Sequence, residues 1–244
     1  MNPRKILHLD LDAFFCAVEE LKDPSLAGKA FAVGGKAGQR GVISTCSYAA
    51  RRKGVHSAMP TGQALHLCPE LILISSNFGD YGAKSDQVME ILHQLSGLVE
   101  QISVDEAFVD VSDLPQPAEQ IARDLQSRVK HETGLPCSIG VASNKLVAKI
   151  ATDNGKAASK GSGYPSAITV VPPGTEAEFL APLPAKAMWG VGPKMEASLA
   201  AVGLTTLGEI AACSPEILER HFGKYGYDLH RFARGIDDRP VTVE

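Results

Sequence analysis

The sequence lacks the features that mark membrane-spanning, secreted and zinc-binding proteins. No apolar run reaches the roughly eighteen residues that a membrane span needs. The N-terminal segment MNPRKILHLDLDAFF carries charged residues every few positions and has no apolar signal-peptide core. The five cysteines are scattered and include no CxxC pair, which argues against a disulfide framework and a zinc site. We therefore expect a cytoplasmic protein without membrane contact, whose thiols are reduced and mostly buried.

The sequence also lacks an excess of basic residues. Its 244 residues carry a formal net charge of −4, with a slightly basic first third followed by acidic segments. Charge alone therefore gives no indication of a nucleic-acid partner. Hydrophobic residues at 44% and charged residues at 21% are ordinary for a globular protein, so any functional indication must come from local motifs.

Periodic patterns predict an α+β domain with a ferredoxin-like sheet. KILHLDL (5–11) predicts a strand with its leucines on one face and Ile6, His8 and Asp10 on the other. Further strands are predicted over 99–104, 107–112 and 137–142, and helices over 82–98, 116–132 and 144–154. This order is βαββαβ with a long insertion after the first strand. The first and third strands are then central, and Asp10 should meet the Asp105–Glu106 pair at one end of the sheet.

The insertion and the C-terminal third of the chain differ from this sheet. The insertion is rich in Ala, Gly and Ser, and short helices are predicted over 15–22, 46–53 and 60–67. A loop rich in proline near residue 165 marks a boundary. Beyond it the chain reads as helical, with breaks at MWGVGPKM (188–195) and Gly203.

The carboxylates at the end of the sheet suggest a metal site. Phosphoryl-transfer enzymes hold two divalent ions against a triphosphate, and magnesium prefers hard oxygen ligands. Asp10, Asp105 and Glu106 would repel one another strongly without cations between them. The residues alone leave alternatives open. The Asp105–Glu106 pair can be a polar hairpin turn, Asp10 can cap the following helix, and spacing does not distinguish Asp10 from Asp12.

Several motifs together resemble the Y-family, lesion-bypass DNA polymerases, and most closely their bacterial DNA polymerase IV type. They occur in the order of that family: HLDLDAFFCAVE (8–19), STCSYAAR (44–51), SVDEAFVDV (103–111), SIGVASNKLVAKIA (138–151) and WGVGP (189–193). The resemblance implies a template-directed, low-fidelity polymerase that adds dNTPs to a primer 3′-hydroxyl in translesion synthesis. We see no further carboxylate cluster of exonuclease type, so proofreading is not expected.

The resemblance assigns roles to the carboxylates. It implies that Asp10 and Asp105 hold two Mg²⁺ ions, for which Mn²⁺ can substitute. Glu106 would complete the site at the primer 3′-hydroxyl, and the Leu11 carbonyl would be a further ligand. Asp12 would be a structural carboxylate outside the metal shell.

Two phenylalanines and several small residues are expected around the nucleotide. In the family, the position matching Phe15 packs under the deoxyribose and leaves no room for a 2′-hydroxyl. Phe14 is also expected to bind the nucleotide, with a plain core residue as the alternative. Ser44, Ala58 and Val42 would lie over the nascent base pair. Little side-chain bulk there implies weak checking of base-pair geometry.

A phosphate clamp is expected opposite the carboxylates. Thr45, Tyr48 and Arg51 are spaced three residues apart, which predicts one shared helical face for contacts with the β- and γ-phosphates. Lys156 would add a point charge. The family usually reads Lys-Pro-Asp-Gly here, whereas this chain has GKAASKGSGYPSAI (155–168), so Lys160 is an alternative to Lys156.

The segment WGVGPKMEASLAAVGL resembles a helix-hairpin-helix that binds the DNA backbone. Gly190 and Gly192 would allow close approach to a phosphate, Pro193 would start the next helix, and Lys194 would add a cation. Such contacts bind DNA without reading its sequence. They also need few cations, which partly reconciles DNA binding with the acidic charge.

The resemblance also implies domains and partners. The ferredoxin-like palm would comprise 1–13 and 80–165, and a small α/β fingers insertion would comprise 14–79. An all-α helix-hairpin-helix thumb would comprise 166–235, and a linker would start at 236–244. The family continues from there into a basic C-terminal little-finger domain, so we expect a catalytic core that binds primer–template DNA weakly and with strong salt sensitivity. A sliding clamp is expected to bind through regions absent from this chain, and the core is expected to be monomeric.

Two other function classes remain open. Nucleotide cyclases also place metal-binding carboxylates on a ferredoxin-like sheet, although STCSYAAR and the helix-hairpin-helix argue against that class. A DNA-repair scaffold that has lost catalysis is a non-enzymatic alternative, and the presence of all three carboxylates argues against it.

Overall fold

The chain folds into two β-sheets and a helical C-terminal region. The structure is a computed structural model that describes residues 3–35, 41–159 and 163–243, so Lys160 lies outside the described residues. The strands are β1 (Ile6–Leu11), β2 (Phe31–Gly34), β3 (Ile43–Cys46), β4 (Ile72–Ile74), β5 (Val99–Gln101), β6 (Glu106–Asp110), β7 (Cys137–Ala142) and β8 (Ile168–Val170). The helices are α1 (Phe14–Lys22), α2 (Tyr48–Arg51), α3 (Thr61–Leu67), α4 (Phe78–Leu95), α5 (Ala118–Thr133), α6 (Lys145–Ala158), α7 (Glu176–Leu180), α8 (Pro193–Ala201), α9 (Leu207–Ala212), α10 (Pro215–Phe222) and α11 (Lys224–Ala233).

The larger sheet confirms the ferredoxin-like prediction. Its strand order is β5-β6-β1-β7-β8, so the first and third predicted strands, β1 and β6, are neighbours and β1 is central. They pair antiparallel in a register that sets Asp10 opposite Glu106. The sequence did not predict β8, which extends the sheet by pairing parallel to β7.

The alternation of β1 divides the protein interior into two cores. Leu7, Leu9 and Leu11 are buried in the core that also contains the apolar faces of α4 and α5. Burying each leucine contributes about 1.5–3 kcal/mol. Ile6 lies in the second core, on the side of α6. Because side chains alternate along a strand, Asp10 also belongs to the α6 side.

Gly140 allows α6 to lie directly against the sheet. A Cβ atom at Gly140 would stand 2.0 Å from the carbonyl oxygen of Ala148, a distance that no side chain can adopt. The amphipathic helix begins after Asn144, whose side chain accepts a hydrogen bond from the Val147 N–H. The helix is thereby placed beside the polar face of β1.

The insertion contains a small second sheet, which agrees with the predicted α/β fingers, although the sequence pattern did not locate its strands. Its order is β3-β2-β4, and its strands are only three or four residues long. Thr45 lies on β3, so the prediction that it shares a helical face with Tyr48 and Arg51 is wrong. The helix starts only after Ser47, whose hydroxyl accepts from the Ala50 N–H and thereby separates strand from helix.

Two predicted boundaries also differ from the structure. Helix α4 spans 78–95 rather than 82–98, and it ends before the Ser96–Gly97 pair. Strand β5 ends at Gln101 rather than at residue 104. Ser103 organises the following turn, because its hydroxyl accepts from the Glu106 N–H at 3.1 Å.

The helical region is fastened to the larger sheet by residues 235–243. Asn144 donates its side-chain N–H to the Gly235 carbonyl at 2.8 Å, and Asp237 accepts from the Leu146 N–H at 3.1 Å. The carboxylate of Asp237 is also held by the Arg239 guanidinium at 2.7 Å. Among the described residues, no helix combines the length and apolar character needed to span a membrane.

Candidate active site

The predicted carboxylates meet at the end of β1 and β6. The Leu11 N–H donates to the Asp105 carbonyl at 3.0 Å, which fixes the turn before Glu106 against the end of β1. The Ser103 hydroxyl donates to the Asp105 carboxylate at 2.6 Å. Asp10, Asp105 and Glu106 are therefore positioned by strand register and by one short turn.

Asp12 has a different environment from Asp10. Its side chain is fully buried and accepts hydrogen bonds from the Ser138 hydroxyl at 2.9 Å and the Ser166 N–H at 2.8 Å. Both carboxylate oxygens of Asp12 are thus engaged by neighbouring backbone and side chains. This geometry agrees with the structural role implied for Asp12 by the family resemblance.

Two lysines of α6 neutralise the carboxylate cluster. Lys156 Nζ lies 2.6 Å from Asp10 Oδ1, and Lys149 Nζ lies 3.0 Å from Glu106 Oε2. Burial raises the pKa of Asp10, and the charge of Lys156 opposes that rise. Burial alone would lower the pKa of Lys156, but the charges of Asp10 and Asp12 raise it.

The donor set fits hard divalent cations. The described part of the chain contains no preassembled cluster of three His, Cys, Asp or Glu side chains. However, Asp10 and Asp105 line the same cavity, and magnesium is commonly held by one or two carboxylates together with substrate phosphates and water. The ammonium group of Lys156 also shows that this position stabilises positive charge.

A cavity of about 460 Å³ lies beside the carboxylates. Among the described residues, it collects all those predicted for metal and nucleotide binding in this region except Glu106. They are Asp10, Leu11, Phe14, Phe15, Thr45, Tyr48, Arg51, Asp105 and Lys156. The cavity also includes Ser44, one of the small residues predicted over the base pair, and Ser57, which the sequence analysis did not single out.

Phe15 is held by an aromatic partner that the sequence analysis missed. The Phe15 ring stacks on Tyr81 of α4, with centroids 4.3 Å apart and planes inclined by 18°. The Tyr81 hydroxyl donates to Glu19 Oε1 at 2.8 Å, so the ring beneath Phe15 is itself fixed. Phe14 is almost fully buried, whereas Phe15 is only partly buried and faces the cavity. Tyr81 lies one residue before the predicted helix 82–98, so the helical pattern did not place it in the core.

Arg51 is oriented before any ligand binds. Its Nε donates to the Cys46 carbonyl at 3.2 Å, and its guanidinium carbon lies 4.9 Å from the centre of the Tyr48 ring. Cation–π contact and the hydrogen bond leave the other guanidinium nitrogens for an anion. Thr45, Tyr48 and Arg51 converge on one cavity wall although only two of them are helical.

The predicted helix-hairpin-helix glycines lie in an open loop before α8. Gly190 has φ +94°, in the left-handed region that favours glycine. Gly192 caps α8, and a Cβ there would meet nothing within 4 Å. Pro193 begins the helix as predicted, and Lys194 is exposed.

A ferredoxin-like sheet with adjacent carboxylates beside a cavity of about 460 Å³ is typical of nucleotide-polymerising and nucleotide-cyclising catalytic domains. The chain belongs to the impB/mucB/samB family, whose model matches residues 9–153. A model described as the DNA polymerase-iota thumb domain matches residues 186–237. These matches confirm the predicted resemblance to Y-family polymerases.

Curated relatives and solved structures extend this assignment along the chain. The chain is 41% identical to DNA polymerase IV of Ralstonia nicotianae over 98% of its length, and 43% identical to DNA polymerase IV of Legionella pneumophila over 100%. It spans 65% and 68% of those two relatives. A Y-family DNA polymerase chimera, Dbh-Dpo4(243-245)-Dbh, is similar with a TM-score of 0.88 and 27% identity over 98% of this chain and 69% of that one. An insertion ternary complex of Dbh DNA polymerase has a TM-score of 0.86 at 28% identity, covering 97% of this chain and 69% of that one.

Proposed function

We propose that this chain is the catalytic core of a template-directed, low-fidelity DNA polymerase that adds dNTPs to a primer 3′-hydroxyl. The observation that supports this most directly is the convergence of Asp10, Asp105, Phe15 and Arg51 on one cavity. Carboxylates, an aromatic ring and a guanidinium correspond there to the metal, sugar and phosphate parts of a nucleotide complex.

The carboxylates would hold two Mg²⁺ ions, for which Mn²⁺ can substitute. Asp10, Asp105 and the Leu11 carbonyl are the proposed ligands on the triphosphate side, and Glu106 completes the site at the primer 3′-hydroxyl. When bound, such ions neutralise the triphosphate and activate the attacking hydroxyl. The chain's own contribution is to fix the carboxylates through strand register.

The triphosphate would be bound by Thr45, Tyr48, Arg51 and Lys156. Lys156 is paired with Asp10 at 2.6 Å, and a nucleotide phosphate offers it a second anionic partner in the same cavity. Lys156 lies on the cavity wall, and we assign this role to it. Arg51 is preoriented by Tyr48 and can therefore bind phosphate with little further ordering.

Sugar selection is assigned to Phe15, with Phe14 supporting it from the core. A flat ring against C2′ offers neither space nor a hydrogen-bond partner to a ribose hydroxyl. Ser44, Val42 and Ala58 supply little bulk over the base pair, which supports low fidelity and tolerance of damaged templates in translesion synthesis. We propose that the chain lacks proofreading activity.

We assign the palm to 1–13 and 80–165, the fingers to 14–79, the thumb to 166–235 and a linker to 236–244. Primer–template DNA is the proposed partner, with backbone contacts from Gly190, Gly192 and Lys194. We further propose a monomeric, cytoplasmic protein that binds a sliding clamp through regions outside this sequence.

Primer extension tests the proposal. The wild-type chain is mixed with primed DNA, dNTPs and Mg²⁺, and products are resolved on undamaged and damaged templates. Asp105→Ala should abolish extension, whereas exchange of the exposed Asp113 for Asn should not. Nucleotide conversion without DNA would instead identify a cyclase, and template-bound protein that never extends a primer would identify a non-catalytic scaffold.

A further inference from the structure

Two side chains that do not line the cavity lie next to the carboxylate of Glu106. Lys149 Nζ lies 3.0 Å from Glu106 Oε2, and His8 Nε2 lies 3.8 Å from the same oxygen. The second distance is longer than a hydrogen bond. The proximity of His8 and the charge of Lys149 hold the pKa of Glu106 below its ordinary value.

The fold fixes both of these side chains. His8 is fully buried, its Nδ1 lies 2.9 Å from the Thr152 hydroxyl, and its ring packs on Phe108 with centroids 4.8 Å apart. Its Nε2 has no hydrogen-bond partner and is directed toward Glu106. Lys149 and Thr152 belong to α6, the helix that packs closely against the sheet because residue 140 is glycine.

We propose that Lys149, backed by His8, is a positioning residue that holds Glu106 Oε2 and thereby leaves Oε1 for the primer side of the active site. This inference rests on the proposed polymerase function. Lys149 differs from Lys156 in an informative way. The cavity wall includes Lys156 but not Lys149, whose Nζ contacts Glu106 instead.

This role has a signature that a structural lysine lacks. Loss of Lys149 removes a positive charge next to the carboxylates, so divalent cations should bind more tightly to the isolated chain. The same change releases Glu106 from its orientation, so nucleotide transfer should become slower. Tighter cation binding combined with slower chemistry therefore separates positioning from fold stabilisation.

The test compares Lys149→Met, Lys149→Arg and a charge-matched control, Lys130→Met, on the exposed side of α5. Mn²⁺ binding is measured by electron paramagnetic resonance without DNA or nucleotide, and single-turnover incorporation is measured over a range of dNTP concentrations. Removing groups that orient metal ligands usually costs about 10–100-fold in affinity or activity, and we expect the maximal rate of Lys149→Met to fall by about that factor. We expect its Mn²⁺ affinity to rise about threefold.

The other readouts define what would overturn the inference. The dNTP concentration for half-maximal rate should stay within about twofold, and Lys149→Arg should recover most of the rate. In a Glu106→Gln background, Lys149→Met should have no further effect on the residual rate. Additive losses in that background, or a fall in Mn²⁺ affinity together with a lower melting temperature, would assign Lys149 to fold stability instead. If wild type fails to extend primers, the proposed function fails, but the Mn²⁺ measurements still test the contact with Glu106.

Discussion

At the scale of single residues, Asp10 and Asp12 show what sequence spacing can and cannot resolve. Residues two apart on a strand project to the same face, so alternation treats the two carboxylates alike. The structure separates them because Asp12 is bound by Ser138 and Ser166, which lie 126 and 154 residues away in the chain. Only the family resemblance selected Asp10 in advance, since those partners are not evident from local sequence.

Phe15→Ala should admit ribonucleotides. The substitution removes the ring that faces the cavity from above Tyr81 and leaves space for a 2′-hydroxyl. We expect the preference for dNTP over NTP to fall by about 1–3 kcal/mol, the discrimination that a single well-packed apolar contact can supply. Paired incorporation assays with dNTP and NTP measure this ratio. An unchanged ratio would remove Phe15 from sugar selection.

Tyr81 offers a matched pair of substitutions that separate stacking from hydrogen bonding. Tyr81→Phe keeps the ring under Phe15 and loses only the bond to Glu19, at a cost of about 1 kcal/mol in stability. Tyr81→Leu loses the stacked ring and should also weaken sugar discrimination. Chemical denaturation and the dNTP/NTP ratio together test this. Equal discrimination in the two variants would show that Phe15 does not depend on the ring of Tyr81.

At the scale of elements, long periodic segments were predictable and short ones were not. The alternation of β1 and the apolar stripes of α4 and α5 predicted the central strand of the larger sheet and the helical layer on one of its faces. The strands β2, β3 and β4 span three or four residues each, too few to show a period. Thr45 was therefore placed on a helix, although β3 brings it to the predicted cavity by tertiary pairing.

Gly140→Ala should displace α6 and impair both stability and catalysis. The new methyl group would overlap the Ala148 carbonyl, and overpacking of this kind typically costs about 1–3 kcal/mol or more. Lys149 and Lys156 would move with the helix. Gly82→Ala in α4 is the control, because its Cβ meets nothing within 4 Å and alanine favours a helix. Thermal unfolding and primer extension should show losses only for Gly140→Ala.

At the scale of the whole molecule, the helical region is connected to the sheet through polar contacts of residues 235–243. Asp237 is central to them, since its carboxylate accepts from Arg239 and from the first turn of α6. Burial alone would raise the pKa of Asp237, but these hydrogen bonds hold it below its ordinary value. This connection was not predictable from local sequence, because the partners are about ninety residues apart.

Asp237→Asn should destabilise the chain and reduce the dependence of its stability on acid pH. A carboxyl group with a lowered folded-state pKa contributes stability above its unfolded pKa of about 4, and that contribution is lost as pH falls through the folded value. Urea unfolding at neutral pH and near pH 3 should thus show a smaller difference for the variant than for wild type. Asp238→Asn is the control, since the Asp238 side chain is 80% exposed. Parallel pH profiles for Asp237→Asn and wild type would contradict the assignment.

The two lysines of α6 also restrict insertions and deletions in the sequence between them. Lys149 and Lys156 are seven residues apart, close to two helical turns, so both reach the carboxylates from one face. Inserting or deleting a single codon between them would rotate one lysine by about 100° relative to the other. A change in the length of α6 would therefore break the ion pair with Asp10 or the one with Glu106. The stretch between these lysines is therefore a segment of fixed length, in which in-frame insertions and deletions are incompatible with an intact active site.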